Sequence, residues 1–416
     1  MNVLTLSYSD TVGGAARAAA RLYRALYRWG ISIRMRVGYK HLDINRIEAP
    51  DSKFARGLAL LRPVIGEAVA RLQKTANAEL RSVAVLPSGL LREINSPAVD
   101  LVHLHWVNKE FLSIEDIGAI AKPLLWTAHD MWPFCGTEHY CPEGPDARWR
   151  RGYSRDTRRR DSTGLDIEQW VWRRKRRAWQ KPFHIVAPSQ WLADCFKESL
   201  LFRGWSVSVI PNVVNTHQFQ PWPKKLSREM LGLPADRPLL LFGAVGGSND
   251  YRKGWDLLSA AIHLLSAERT DLECVVFGQS APSVPIQLGV PIRWMGQITD
   301  ELTLALLYSA ADLAVIPSRQ EAFGLTAAEA AACGCPTVAF NIGGLRDVVE
   351  HEKTGLLVNS FDTNALADAI RRLVVDTSFR DELGIAARDR AVSLWSEETI
   401  CPKYISLYER IVGSPD

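Results

Sequence analysis

The apolar positions of this chain fall in short runs, and the stretches between them carry helical spacing. In the first half, runs at 3–6, 31–37, 101–104, 124–127, 185–187 and 207–210 predict strands. Gly13 and Gly14 open a helix that runs through Leu26. Residues 51–95 read as helical and irregular, and the pattern assigns them no packing partner. Pro211, Asn212, Asn215, Pro221 and Pro223 make 211–223 a turn-rich break. The alternation then restarts, with strands at 239–242, 274–277, 313–316 and 337–340 and helices near 255–267, 301–310, 324–333 and 365–375. A last helix at 397–412 has no strand after it. Strands alternating with helices predict parallel, doubly wound sheets. The expected fold class is therefore α/β, with two Rossmann-like domains at 1–215 and 216–394. The helix within 395–416 is expected to pack back on the first of them.

At 416 residues, two domains are the natural division of the core. An apolar fraction of 47% with 23% charged residues is that of a globular chain. No apolar stretch approaches the roughly 20 residues of a spanning helix, and the first residues read as a strand, not a signal peptide. Seven cysteines, an odd and sparse set, suit a reducing compartment. A cytoplasmic location is expected. The net charge of +4 is uneven: from Arg148 to Lys181 there are thirteen Lys/Arg against four Asp/Glu, so the remainder of the chain is mildly acidic.

The stretch from Pro317 to Ala330 follows a predicted strand and enters an Ala-rich helix. On one helix, side chains eight residues apart diverge by about 80°. With Glu321 in the loop and Glu329 in the second turn, both carboxylates can face one ligand. Between them Phe323, Gly324, Leu325 and Thr326 let the backbone come close, and the amides of the helix start suit a diphosphate. Upstream, Arg252 and Lys253 precede Gly254 at another helix start. The Gly-rich run from Gly243 to Gly247 is not Gly-x-Gly-x-x-Gly.

This stretch resembles the Glu-seven-Glu motif of the family 4 glycosyltransferases. Its flanks resemble them too: Ala330 to Ala339 with Gly334 and Pro336, then Gly343-Gly344-Leu345-Arg346-Asp347, then Lys353-Thr354-Gly355. The resemblance implies the GT-B fold, two domains facing across a cleft, and transfer with retained anomeric configuration. It implies that Glu321 touches the transferred sugar, Glu329 the ribose, and Lys253 the diphosphate. The family's usual diphosphate arginine falls on Ala244 here, and Arg252 is the expected substitute because a guanidinium can clamp phosphate oxygens in pairs. Gly278 and Ile298 sit where the family builds its nucleobase pocket.

On the N-terminal side, Gly13 and Gly14 form the facing Gly-rich loop. His129, in Trp126-Thr127-Ala128-His129-Asp130, sits where the resemblance places a histidine against the donor sugar. A role in proton movement is expected from an ordinary histidine pKa; a structural histidine paired with Asp130 is the alternative. His103 and His105 are read as packing or acceptor-side residues. Cys135, His139 and Cys141 supply only three of the four ligands zinc prefers, so no metal is expected there. There is no Asp-x-Asp in the chain. Lys253, Arg252 and the helix start near Gly324 are expected to neutralise the leaving diphosphate without a cation, leaving the nucleotide sugar as donor substrate and no cofactor.

The expected function is a retaining transferase for a hexose or deoxyhexose, acting on a glycan or lipid-linked acceptor in surface-polysaccharide assembly. A GT-B nucleotide-sugar epimerase and a non-catalytic nucleotide-sugar scaffold are the alternatives. The basic block, with Trp149, Tyr153, Trp170, Trp172 and Trp179 among its cations, is expected to face an anionic membrane surface on the inner face of the cell membrane. An acidic polysaccharide ligand and a merely solvated helix are the other readings. No nucleic-acid motif accompanies it.

Overall fold

A computed structural model of the chain describes residues 1–41, 46–75, 79–243, 246, 250–267 and 271–413. Contacts divide it into two compact units, Met1–Pro211 with Cys401–Asp416, and Asn212–Ile400. Each is built on a parallel sheet.

The first unit holds strands β1 (Asn2–Ser9), β2 (Ser32–Tyr39), β3 (Ile47–Glu48), β4 (Gln73–Lys74), β5 (Leu101–Leu104), β6 (Leu124–Thr127), β7 (Thr163–Gly164), β8 (His184–Ala187) and β9 (Val207–Val209). Seven of them form one sheet in the order β3-β2-β1-β5-β6-β8-β9, and β4 and β7 form a separate ribbon. The second unit orders its strands β12 (Ile292–Trp294), β11 (Glu273–Phe277), β10 (Leu239–Gly243), β13 (Leu313–Ile316), β14 (Thr337–Phe340) and β15 (Gly355–Val358). In each sheet the chain winds outward from a central strand and then restarts on its other side. That reversal leaves a crevice at the carboxyl ends of β1 and β5 in one unit and of β10 and β13 in the other.

The inner strands β5, β6, β10, β11, β13 and β14 are covered on both faces, which is why they read as apolar runs, whereas β2, β9 and β12 are partly exposed. The helix Gly13–Arg28 lays Leu22 and Leu26 inward together with Ala16, Ala19 and Ala20, whose small side chains allow close approach to the sheet. Ser189, Asp300 and Asp362 cap the helices Gln190–Glu198, Glu301–Ala310 and Thr363–Val375.

The basic block is largely folded into the first unit, so the expectation of a solvated or membrane-facing stripe over its whole length does not hold. Lys175 is fully buried, donating to the carbonyls of Cys135 (3.0 Å) and Gly136 (2.9 Å) and to that of Trp132, over whose ring it lies. Arg148 is clamped by Asp166 and Glu168. Arg174 binds Glu115 and the carbonyls of Val83 and Ala84. Trp149, Trp172 and Trp179 are core residues. Arg155, Arg160, Arg173, Arg176, Arg177 and Lys181 stay exposed.

The final helix, Glu397–Gly413, belongs to the first unit from Cys401 onward. Tyr408 and Thr127 sandwich His103, at 2.7 Å from Nδ1 and 2.8 Å from Nε2, and the Tyr404 hydroxyl meets Thr127 at 3.1 Å. The His105 ring lies against His103, and its Nδ1 is 3.0 Å from Nε2 of His129. Three histidines thus form a ladder under the carboxyl ends of β5 and β6. Burial holds His103 down at about 3 and His129 at about 4, and His105 lies well below its ordinary value for the same reason.

An unfolded chain binds a proton on each of these histidines near pH 6.5, whereas the folded one does not until far lower pH. Their contribution to stability is complete above pH 6.5 and is lost as pH falls from there towards 4. Between pH 6.5 and 5 this amounts to about 2 kcal/mol each for His103 and His129. Urea unfolding across that range should show the loss, and the slope should be shallower in His103→Gln. An unchanged slope in the variant would mean that His103 is not held neutral.

Candidate active site

Glycine makes the crevice of the second unit possible. Gly254, in the left-handed region (φ +70°), ends the short turn Tyr251–Lys253, and a Cβ there would sit 1.9 Å from the Pro317 carbonyl oxygen. The turn therefore lies directly against the loop after β13, and the Arg319 amide donates to the Arg252 carbonyl at 2.7 Å. From the other side, Gly344 packs on the backbone of Ala322 and Phe323, and its amide donates to the Glu321 carbonyl at 2.8 Å. The loop around Glu321 is gripped on both flanks.

Into this grip come three charges. Lys253 Nζ donates to Glu321 Oε1, Arg252 Nη1 stands 3.5 Å from the same oxygen, and the Ser318 hydroxyl donates to it at 3.0 Å. Arg252 is itself held by Asp250 (3.2 Å) and by the Gln320 carbonyl (3.1 Å). None of the three charged side chains is more than 20% exposed. Burial alone would raise the Glu321 pKa, but Lys253 and Arg252 reverse it, and the carboxyl lies below its ordinary value. Lys253 is lowered by burial and by its neighbour Arg252, against the pull of Glu321. At neutral pH the site is a buried carboxylate beneath two cations, one of which, Arg252, also pairs with Asp250.

The helix Leu325–Ala332 starts next to this cluster. Its cap is Gly324 (φ +94°), which supplies no side-chain hydrogen bond, and a Cβ there would meet Leu345 at 2.6 Å. Leu325 and Thr326 are half-buried. Glu329 is buried on that helix and accepts the Tyr308 hydroxyl at 2.8 Å. Phe323 turns its ring into the core against Trp395, so only its backbone borders the crevice. The Gly278 amide donates to the Gly296 carbonyl at 2.8 Å, and Ile298 is buried. Glu321, Lys253 and Arg252 are thus brought together, while Glu329 belongs to a second pair. Ser318, Asp250 and Tyr308 escaped the sequence reading. Ser318 lies inside the motif and offered a signal; Tyr308 lies on the preceding helix and offered none. Ala244 is outside the described residues.

In the first unit, Gly13 (φ +87°) and Gly14 have no atom within 4 Å of a built Cβ, and Val12 gives the helix no side-chain cap. This helix start after β1 is open. His129 is half-buried on the loop after β6 and faces His105; Asp130 pairs instead with His139 at 2.6 Å and accepts from Trp106 and the Trp132 amide. The alternative His129–Asp130 pair is absent, and burial lowers His129 to about 4, so that its ring is neutral at ordinary pH. Burial also raises the thiols of Cys135 and Cys141, and among the described residues no group of three His, Cys, Asp or Glu is placed to hold a metal ion.

Residues 12–218 match the family described as Glycosyltransferase Family 4, and residues 239–376 match Glycosyl transferases group 1. Similar curated proteins include the D-inositol 3-phosphate glycosyltransferase of Nocardioides sp., 34% identical over 49% of this chain and 48% of its own length. A protein of the same name from Xylanimonas cellulosilytica is 36% identical over 44% and 46%. The chain thus matches about half the length of these relatives. Sucrose-phosphate synthase from Thermosynechococcus elongatus superimposes over the whole of both chains with a TM-score of 0.67 at 22% identity. Alr3699/HepE from Anabaena, solved with UDP-glucose, gives 0.65 at 17% identity, covering 99% of this chain and 100% of its own. With a matched domain in each half and the two Rossmann-like units of the GT-B fold, the chain belongs to the family 4 and group 1 glycosyltransferases.

Proposed function

We propose that the chain transfers a hexose or deoxyhexose from a nucleoside diphosphate to an acceptor hydroxyl, with retention and without a divalent cation. The observation that carries this reading is the buried Glu321 carboxylate under Lys253 and Arg252, beside a helix start whose cap gives no side-chain hydrogen bond. A pyrophosphate entering the crevice meets the two cations and the helix amides, which oppose its growing charge as the glycosidic bond breaks. Drawn towards the phosphates, Lys253 frees Glu321 to accept a hydroxyl of the sugar. Glu329, steadied by Tyr308, takes the ribose hydroxyls. As the bond from C1 to the diphosphate breaks, the acceptor oxygen bonds to C1 on the same face, and its proton passes to the departing phosphate oxygen. His129, neutral and oriented by His105, contributes a hydrogen bond rather than a proton.

The acceptor is a glycan or lipid-linked sugar of surface-polysaccharide assembly, which suits the open helix start at Gly13 and Gly14. The relatives' name favours a second reading, a phosphorylated cyclitol as acceptor.

Glu321→Gln keeps the shape of the side chain and removes the charge. Turnover should fall by a factor on the order of 100 or more, with nucleotide affinity changed by less than about threefold. Steady-state kinetics with nucleotide titration measures both, and equal losses would reduce Glu321 to a binding residue. Arg252→Met should weaken nucleoside diphosphate binding by roughly tenfold or more, as expected of a lost charged contact. Calorimetry showing undiminished binding would leave Arg252 as a brace for Gln320 alone.

A further inference from the structure

The helix Lys53–Ala70 is built inside out. The side it turns to the protein carries Ala55, Ala59, Gly66 and Ala70, with Arg62 reaching in to the carbonyls of Leu86, Pro87 and Glu110. Phe54, Leu58, Leu61 and Ile65, at i, i+4, i+7 and i+11, form an outward face with Leu60 and Val64 beside them. All six are exposed, Phe54 by 83%, Leu60 by 61% and Val64 by 59%. A surface helix of a water-facing protein shows the opposite pattern, and so large an apolar patch marks an interaction site.

The ribbon after this helix decides what covers it. β4 directly follows the helix and pairs antiparallel with β7, with Gln73 opposite Gly164 and Lys74 opposite Thr163. That pairing joins the stretch after the helix to the arm of the basic block just before β7, where Arg155 and Arg160 are exposed alongside Asp156 and Asp161. It also sets Leu72 and Leu165, both exposed, next to each other through the bond from the Leu165 amide to the Leu72 carbonyl. At the helix's other end stand exposed Lys53 and, two residues before it, exposed Asp51. A broad aliphatic face flanked by cations fits one surface well: acyl chains under anionic headgroups. A second copy of this chain would bring the same cations against each other. No helix among the described residues is long and apolar enough to cross a membrane, so the contact would lie in the interface plane.

We infer that the helix Lys53–Ala70, with Arg155 and Arg160 beside its end, docks the first unit on an anionic lipid bilayer. The apolar helix inserts, and the basic arm supplies the headgroup contact. This inference is independent of the reading of Glu321.

Flotation of the full chain with vesicles tests it, using phosphatidylcholine mixed with phosphatidylglycerol against phosphatidylcholine alone. The wild type should float with the mixed vesicles and far less with the neutral ones. Leu61→Ser combined with Ile65→Ser should weaken binding roughly tenfold or more at low and high salt alike. Arg155→Gln combined with Arg160→Gln should weaken it by a similar factor and flatten its salt dependence. All four positions are exposed, so an unchanged melting temperature checks that each variant is folded. The inference is overturned if the wild type ignores anionic vesicles, or if the Leu61/Ile65 variant floats undiminished. It is equally overturned if those substitutions only dissolve a dimer seen by sedimentation, which would assign the face to a second copy.

Discussion

One buried charge arrangement organises the second unit: a carboxylate shared by Lys253 and Arg252 at the reversal point of the sheet. Burying Glu321 without those cations would cost several kcal/mol or protonate it, and burying the cations without Glu321 would do the same to them. Their contact requires two chain segments to approach more closely than side chains allow. Gly254 against Pro317 and Gly344 against Ala322 and Phe323 provide that approach. The strands carry the loops to one edge, the glycines bring them together, and the charges hold the result in a state that an anionic ligand can reorganise.

The first unit solves a different problem with neutral groups. Its histidine ladder joins the last helix, through Tyr404 and Tyr408, to the loop that presents His129. Because burial keeps these rings uncharged, they act as fixed hydrogen-bonding pieces at ordinary pH. Lys175 has a comparable part, gathering three carbonyls of the loop that follows His129.

Much of this was legible in the residues. The alternation of apolar runs and helical spacing gave the two parallel sheets, because strands buried on both faces leave an unbroken apolar signature. Glu321, Lys253 and Arg252 were legible since the charges and their glycines lie in two short segments. Tyr308 was not, since its bond to Glu329 spans 21 positions and a tyrosine in an apolar helix reads as core. The basic block misled for a related reason: composition counts charges, and cannot distinguish Arg148 between two carboxylates, or Lys175 among carbonyls, from a cation in water. The inverted helix at 53–70 was unplaceable because periodicity identifies a face without saying which way it points.

Side-chain cations and helix amides are proposed to stabilise the departing pyrophosphate with no divalent ion. Release of nucleoside diphosphate from the donor sugar, measured on protein stripped with a strong chelator and assayed in its presence, tests this most directly. The rate should match that of untreated protein and should not rise when magnesium or manganese is added. A stripped protein that is inert and revives only with one of those ions would contradict it.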